Sequence, residues 1–196
     1  GVFTNDGQIN KADFRGDVTL TGAGSITGAV GSLSTVRYDI GFDSTLVNDA
    51  GHSIVWIGSV ETLSQPSGDA AFINDGLIRA TASDGSPFGK VRIRVAATEP
   101  SSTGFLLNRG TILLDADAEV EMRASGGALT QFRNEGEIIT QEDVLLEMIA
   151  PTNADGSAGL INTGLIDVGN SSFFRTRTFD IQGEVTIGEG STLEAM

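Results

Sequence analysis

Leu106-Leu-Asn108-Arg-Gly110-Thr-Ile112 decides how this chain is read, because the same frame returns along it. It recurs as Phe72-Ile-Asn74-Asp-Gly76-Leu-Ile78, Phe132-Arg-Asn134-Glu-Gly136-Glu-Ile138 and Leu160-Ile-Asn162-Thr-Gly164-Leu-Ile166. Phe3-Thr-Asn5-Asp-Gly7-Gln-Ile9 is a further copy, and Leu46-Val-Asn48-Asp-Ala-Gly51-His-Ser-Ile54 is one with extra residues. A frame repeated in this way predicts a stack of similar rungs, not a globule built around one site.

Working outward, the last five motif asparagines are separated by 26, 34, 26 and 28 residues. Gly22-Ala-Gly24-Ser-Ile26 fits the frame inside the longer first interval, and Gln182-Gly183-Glu-Val185 reads as a degenerate last copy. Pro66, Pro100 and Pro151 precede Asn74, Asn108 and Asn162 by 8, 8 and 11 residues, marking a recurrent loop. Alternating runs such as Val18-Thr-Leu20, Val91-Arg-Ile93-Arg-Val95, Val120-Glu-Met122 and Phe179-Asp-Ile181 read as the downstream strand of each repeat, buried on one face. Gln141–Ala150 carries helix-like spacing, yet its phase in the repeat predicts a strand. Each repeat is then strand, turn, strand and loop. Stacked in register, the repeats give an all-β, single-stranded parallel β-helix (a β-solenoid) of seven to eight rungs over residues 1–196. The preference of parallel crossovers predicts a right-handed coil.

Six of the nine asparagines hold the motif position. Asn suits turns, and in register its amide can bond to the Asn of the next rung. The glycine two residues on serves a positive φ or a close backbone approach. Asn5, Gly7, Asn48, Gly51, Asn74, Gly76, Asn108, Gly110, Asn134, Gly136, Asn162 and Gly164 are therefore expected to be structural turn positions.

The strings Val18-Thr-Leu-Thr-Gly22-Ala-Gly-Ser-Ile26, Leu46-Val-Asn48…Ile54 and Phe72…Ile78-Arg-Ala resemble repeats of large bacterial surface and secreted proteins. These are the filamentous-haemagglutinin-like and autotransporter-passenger β-helices. Gly190-Ser-Thr-Leu-Glu194-Ala resembles their repeat-closing strand. The resemblance implies an extracellular or cell-surface location and a structural or adhesive role, and it implies no catalytic residue.

Composition bounds the partners. The net charge of −14 disfavours nucleic acid and anionic membranes. No cysteine is present and His52 is the one histidine, which excludes disulfide, thiolate and multi-histidine sites. No apolar run is long enough to span a membrane. Starting at Gly1 without an initiator Met, the chain reads as a processed or excised piece.

Charged residues alternate with apolar ones on Lys90, Arg92 and Arg94, on Glu119 and Glu121, and again near Glu147 and on Arg175. Glu119 and Glu121 are expected to face solvent. The expectation is an outer ladder: Arg92 and Arg94 over Glu119 and Glu121, then Glu147, then Arg175. Asp115, Asp117, Glu119 and Glu121 form one acidic cluster and Glu142, Asp143 and Glu147 another; calcium or glycosidase carboxylates could sit on the first, and a groove bringing together two or three of Asp115, Asp117, Glu119, Glu142 and Asp143 would mark an enzyme; otherwise no cofactor motif exists. Trp56 reads as packing before it reads as a sugar platform. The functional expectation is a rod that spaces, binds or self-assembles through its open ends, with other surface components or glycans as further partners. The competing expectation is a carbohydrate-active, tailspike-like or lyase-like β-helix using outer-face carboxylates.

Overall fold

The computed structural model describes residues 2–4, 8–9, 17–27, 44–57, 61–62, 70–81, 90–97, 103–126, 129–149, 153, 155–177 and 179–196. Asn5, Gly7 and the loops holding Pro66, Pro100 and Pro151 lie outside them. Within the described residues every regular element is a strand, and every inter-strand pairing is parallel.

Three sheets form the sides of the stack. Sheet A contains Val2–Thr4, Val18–Thr21, Ser44–Asn48, Ala70–Asn74, Thr103–Asn108, Leu129–Asn134, Leu160–Asn162 and Phe179–Ile181. Sheet B contains Gln8–Ile9, Ser25–Thr27, Ser53–Ile57, Leu77–Thr81, Thr111–Leu114, Glu137–Thr140, Leu165–Val168 and Glu184–Ile187. Sheet C contains Glu61–Thr62, Lys90–Ala97, Glu119–Gly126, Leu145–Ile149, Phe173–Arg177 and Thr192–Ala195. The chain visits A, B and C in turn, so one rung is one strand from each. Eight rungs at about 4.8 Å spacing make a stack about 35 Å long.

The parallel β-solenoid stands, but each full rung has three strands where the sequence suggested two. The motif strings straddle the corner between sheets A and B. A second corner, between B and C, was not visible as a repeat. Leu145–Ile149 is a strand, as its phase predicted. Val18–Leu20 and Phe179–Ile181 lie in sheet A, not on a downstream strand. Thr192–Ala195 closes sheet C.

The core is built from columns of equivalent residues. Val18, Leu46, Phe72, Leu106, Phe132, Leu160 and Phe179 form one, along sheet A. Ile26, Ile54, Ile78, Ile112, Ile138, Ile166 and Val185 form another, along sheet B. From Ile26 to Ile166 that sheet B column is completely shielded, and each large aliphatic contributes roughly 1.5–3 kcal/mol. A one-residue slip would turn such a column outward, so the columns fix register.

Candidate functional site

The most ordered polar array lies inside the stack. Asn48, Asn74, Asn108, Asn134 and Asn162 share one register position and are all fully buried. Each Nδ2 donates to the Oδ1 of the next: Asn48 to Asn74, Asn74 to Asn108, Asn108 to Asn134 and Asn134 to Asn162, every bond 2.7 Å. The second amide hydrogen is directed at backbone, as from Asn108 to the Glu137 carbonyl at 3.1 Å and from Asn134 to that of Leu165 at 3.0 Å. The asparagine's own carbonyl takes two consecutive N–H groups of the following rung. Those of Glu135 and Gly136 converge on Asn108 at 2.7 and 2.9 Å. That double acceptance turns the corner, and the side-chain amides offset the burial of so much polarity.

The ladder is terminated at both ends. Leu20 holds the asparagine position one rung before Asn48, and Ile181 holds it one rung after Asn162. Leucine cannot donate to Asn48 Oδ1; His52 does so instead, Nδ1 lying 2.7 Å away. Because that oxygen only accepts, Nδ1 carries the proton. At the far end Asn162 Nδ2 donates to the carbonyls of Gly164 and Glu184, at 3.2 and 3.1 Å.

His52 was missed because its copy was aligned on Gly51. In the register Ser53 pairs with Leu77, which puts His52 at the position of Gly76. Gly51 instead sits exposed in a tight turn closed by His52 N–H donating to the Asp49 carbonyl at 2.9 Å. Gly51 is thus a turn residue but not a member of the glycine column. The first copy shifts likewise: Phe3, not Asn5, pairs with Leu20 and so lies in the asparagine column.

Gly76, Gly110, Gly136 and Gly164 do form a column, joined by Gly183. None has a positive φ. Close approach explains them: a Cβ on Gly110 would lie 2.7 Å from the Asp75 carbonyl oxygen, and one on Gly136 2.7 Å from that of Arg109. An open groove of about 520 Å³ runs along this corner, bordered by Arg109, Glu135 and Glu137. Arg109 spans back to Asp75 with two bonds, from Nε at 2.6 Å and a terminal nitrogen at 2.7 Å.

The acidic residues have separate explanations. Asp117 and Asp143 are left-handed, with φ of 62° and 58°, at the corner between sheets B and C. Ser171 and Gly190 occupy the same place in later rungs, with φ of 55° and 73°. Asp and Asn tolerate this conformation best after Gly. Asp115 is buried, its Oδ2 accepting from Arg79 Nε at 2.8 Å and Thr81 Oγ1 at 2.7 Å. Glu142 is exposed at the corner, and Glu119 lies on sheet C. Among the described residues no group of three His, Asp or Glu is placed to hold a metal ion.

The outer ladder exists in an altered register. Lys90 pairs with Glu119, Arg92 with Glu121 and Arg94 with Arg123, so Arg94 faces a like charge and Lys90 takes its expected place. The strand is two residues away from the expected alignment because the core sets the register, Val91 pairing with the buried Val120 and Ile93 with the buried Met122. Surface charge pairs contribute too little to overrule them. The resulting row is Glu61, Arg92, Glu121, Glu147, Arg175 and Glu194, one residue from each strand of the sheet. Arg175 bridges Glu147 at 2.8 Å and Glu194 at 2.9 Å. Glu121, expected in solvent, is buried within the row. Trp56 pairs with Ala80 on sheet B, and its side chain lies outside the described ones.

No protein-family model matches the chain, and no curated protein or solved structure matches it significantly.

Proposed function

We propose that the chain is a structural, rod-like module of a bacterial surface or secreted protein, one that holds a fixed spacing and presents its outer faces to other surface components. The observation that carries this reading is the asparagine ladder. The most concentrated buried polar chemistry in the described residues is consumed in binding rung to rung, leaving it committed to architecture. Arg175 is likewise bonded to its neighbours in the row. The acidic corner serves backbone conformation at Asp117 and Asp143.

Small-angle scattering combined with carbohydrate assays tests the reading. The expected outcome is an elongated particle that leaves a panel of acidic and neutral polysaccharides uncut and melts at the same temperature with and without millimolar calcium. Turnover of any polysaccharide would replace the structural role by the carbohydrate-active one. A calcium-dependent rise in melting temperature would replace it by an ion-dependent binding module.

A further inference from the structure

Sheets A and C differ in the chemistry of their outer faces. Sheet C carries the charged row of Glu121, Glu147, Arg175 and Glu194. On sheet A the positions that alternate with buried ones are mostly apolar through the middle of the stack. Val47, Ile73, Leu107 and Ile161 share one register column, broken only by Arg133. Ala71 and Phe105 hold the column two residues before it. All of these apolar side chains are half-buried, while Leu46, Phe72, Leu106 and Leu160 beside them fill the core. Every described strand belongs to one of the three sheets, so no described element lies over this face. An all-parallel sheet is ordinarily covered on both sides.

The charges bordering the face select its cover. Arg109 and Glu135 follow Asn108 and Asn134, which pair in register, so they stand on neighbouring rungs at the corner between sheets A and B; both are exposed. Glu135 reaches toward the face, its carboxylate 2.8 Å from Nε of Arg133. Arg109 uses two of its N–H donors on Asp75 and keeps the rest of its fork. We propose that a second copy of the chain covers the outer face of sheet A, related by a two-fold axis that runs along the strands and passes between the rungs of Arg109 and Glu135. That axis places Arg109 of each copy against Glu135 of the other, so one pair of opposite charges is used twice. It sets Ile73 against Ile161, and Leu107 against the aliphatic stem of Arg133. It also keeps the strands of the two sheets aligned, as face-to-face packing favours. A two-fold along the stack would instead bring equal rungs together, Arg133 facing Arg133. The overlap spans the six strands of sheet A from Ser44–Asn48 to Phe179–Ile181. At about 29 Å by about 17 Å it covers roughly 500 Å² on each copy, about 1,000 Å² in all, the size at which specific interfaces begin.

Sedimentation equilibrium of the purified chain over a concentration series tests it, with Leu107→Asp, Arg109→Glu, Glu135→Arg and the double variant Arg109→Glu/Glu135→Arg. The wild type is expected to pass from monomer to dimer and no further, because a two-fold contact closes on itself. Leu107→Asp and each single reversal should weaken the dimer roughly tenfold or more, the reversals by setting like charges together at both corner contacts. The double variant restores the pair with its signs exchanged and should recover the wild-type affinity to within about threefold. Circular dichroism checks that each variant folds, as expected for side chains outside the core. Wild-type monomers at every concentration would overturn the proposal and leave the face to a different partner. Oligomers larger than a dimer, or a double variant no better than the single reversals, would overturn it as well.

Discussion

Replacing Asn108 by Ala strands two buried partners, the Nδ2 of Asn74 and the Oδ1 of Asn134. Each unsatisfied group costs about 1–3 kcal/mol, so a loss of roughly 3 kcal/mol or more is expected in chemical denaturation. Asn108→Asp should be worse, because it accepts from Asn74 but buries a charge and cannot donate. His52 gives a pH prediction. Burial lowers its pKa below the ordinary 6.5, so the folded chain favours the neutral ring. The unfolded chain therefore takes up the proton first, and stability is full above the ordinary value and lost as pH falls through it. The melting temperature should drop between about pH 7.5 and about pH 5.5, by less in His52→Gln, whose amide keeps a donor for Asn48. The ladder was legible because Asn recurs at one phase. Its cap was not, because Ala50 and Gly51 displace the histidine from the glycine it replaces, and only strand register reveals that.

At the scale of the corner, two glycines that look alike in sequence should behave differently. Gly136→Ala drives a methyl into the Arg109 carbonyl and should destabilise the chain by several kcal/mol or stop it folding. Gly51→Ala meets nothing closer than the Gly22 carbonyl oxygen at 3.4 Å and should shift stability by less than about 1 kcal/mol. At the other corner, Asp143→Val places a β-branched residue at a φ of 58° and should cost about 1–2 kcal/mol, whereas Asp143→Gly should be close to neutral; equilibrium urea melts separate the two. Asp-Ala-Asp-Ala, Gln-Glu-Asp-Val, Gly-Asn-Ser-Ser and Gly-Glu-Gly-Ser are four versions of one corner. Its identity was hidden because charge drew the eye to Asp117 and Asp143, while the residue naming the conformation, Gly190, stands two rungs beyond Asp143.

Over the whole molecule, the outer row on sheet C should act as a salt-sensitive tie between rungs. Arg175→Ala leaves Glu147 and Glu194 without their shared cation, and the melting temperature should fall, by less in high salt, where screening already weakens the row. The alternation in sequence located the row, but not its alignment, since its charges are passengers on a register set by the core. The asparagine ladder has one more consequence, which concerns heredity. Each middle asparagine asks the same of its surroundings: one acceptor on the next rung and one donor on the previous. Residues 109–134, one 26-residue period, begin just after one ladder asparagine and end on the next. A tandem duplication of that DNA segment would insert a rung that every neighbour already fits, leaving no amide unanswered. Unequal recombination can therefore lengthen or shorten such a gene in whole periods while natural selection sees an intact protein. A copied segment carrying His52 or Ile181 into the interior would break the ladder and be lost.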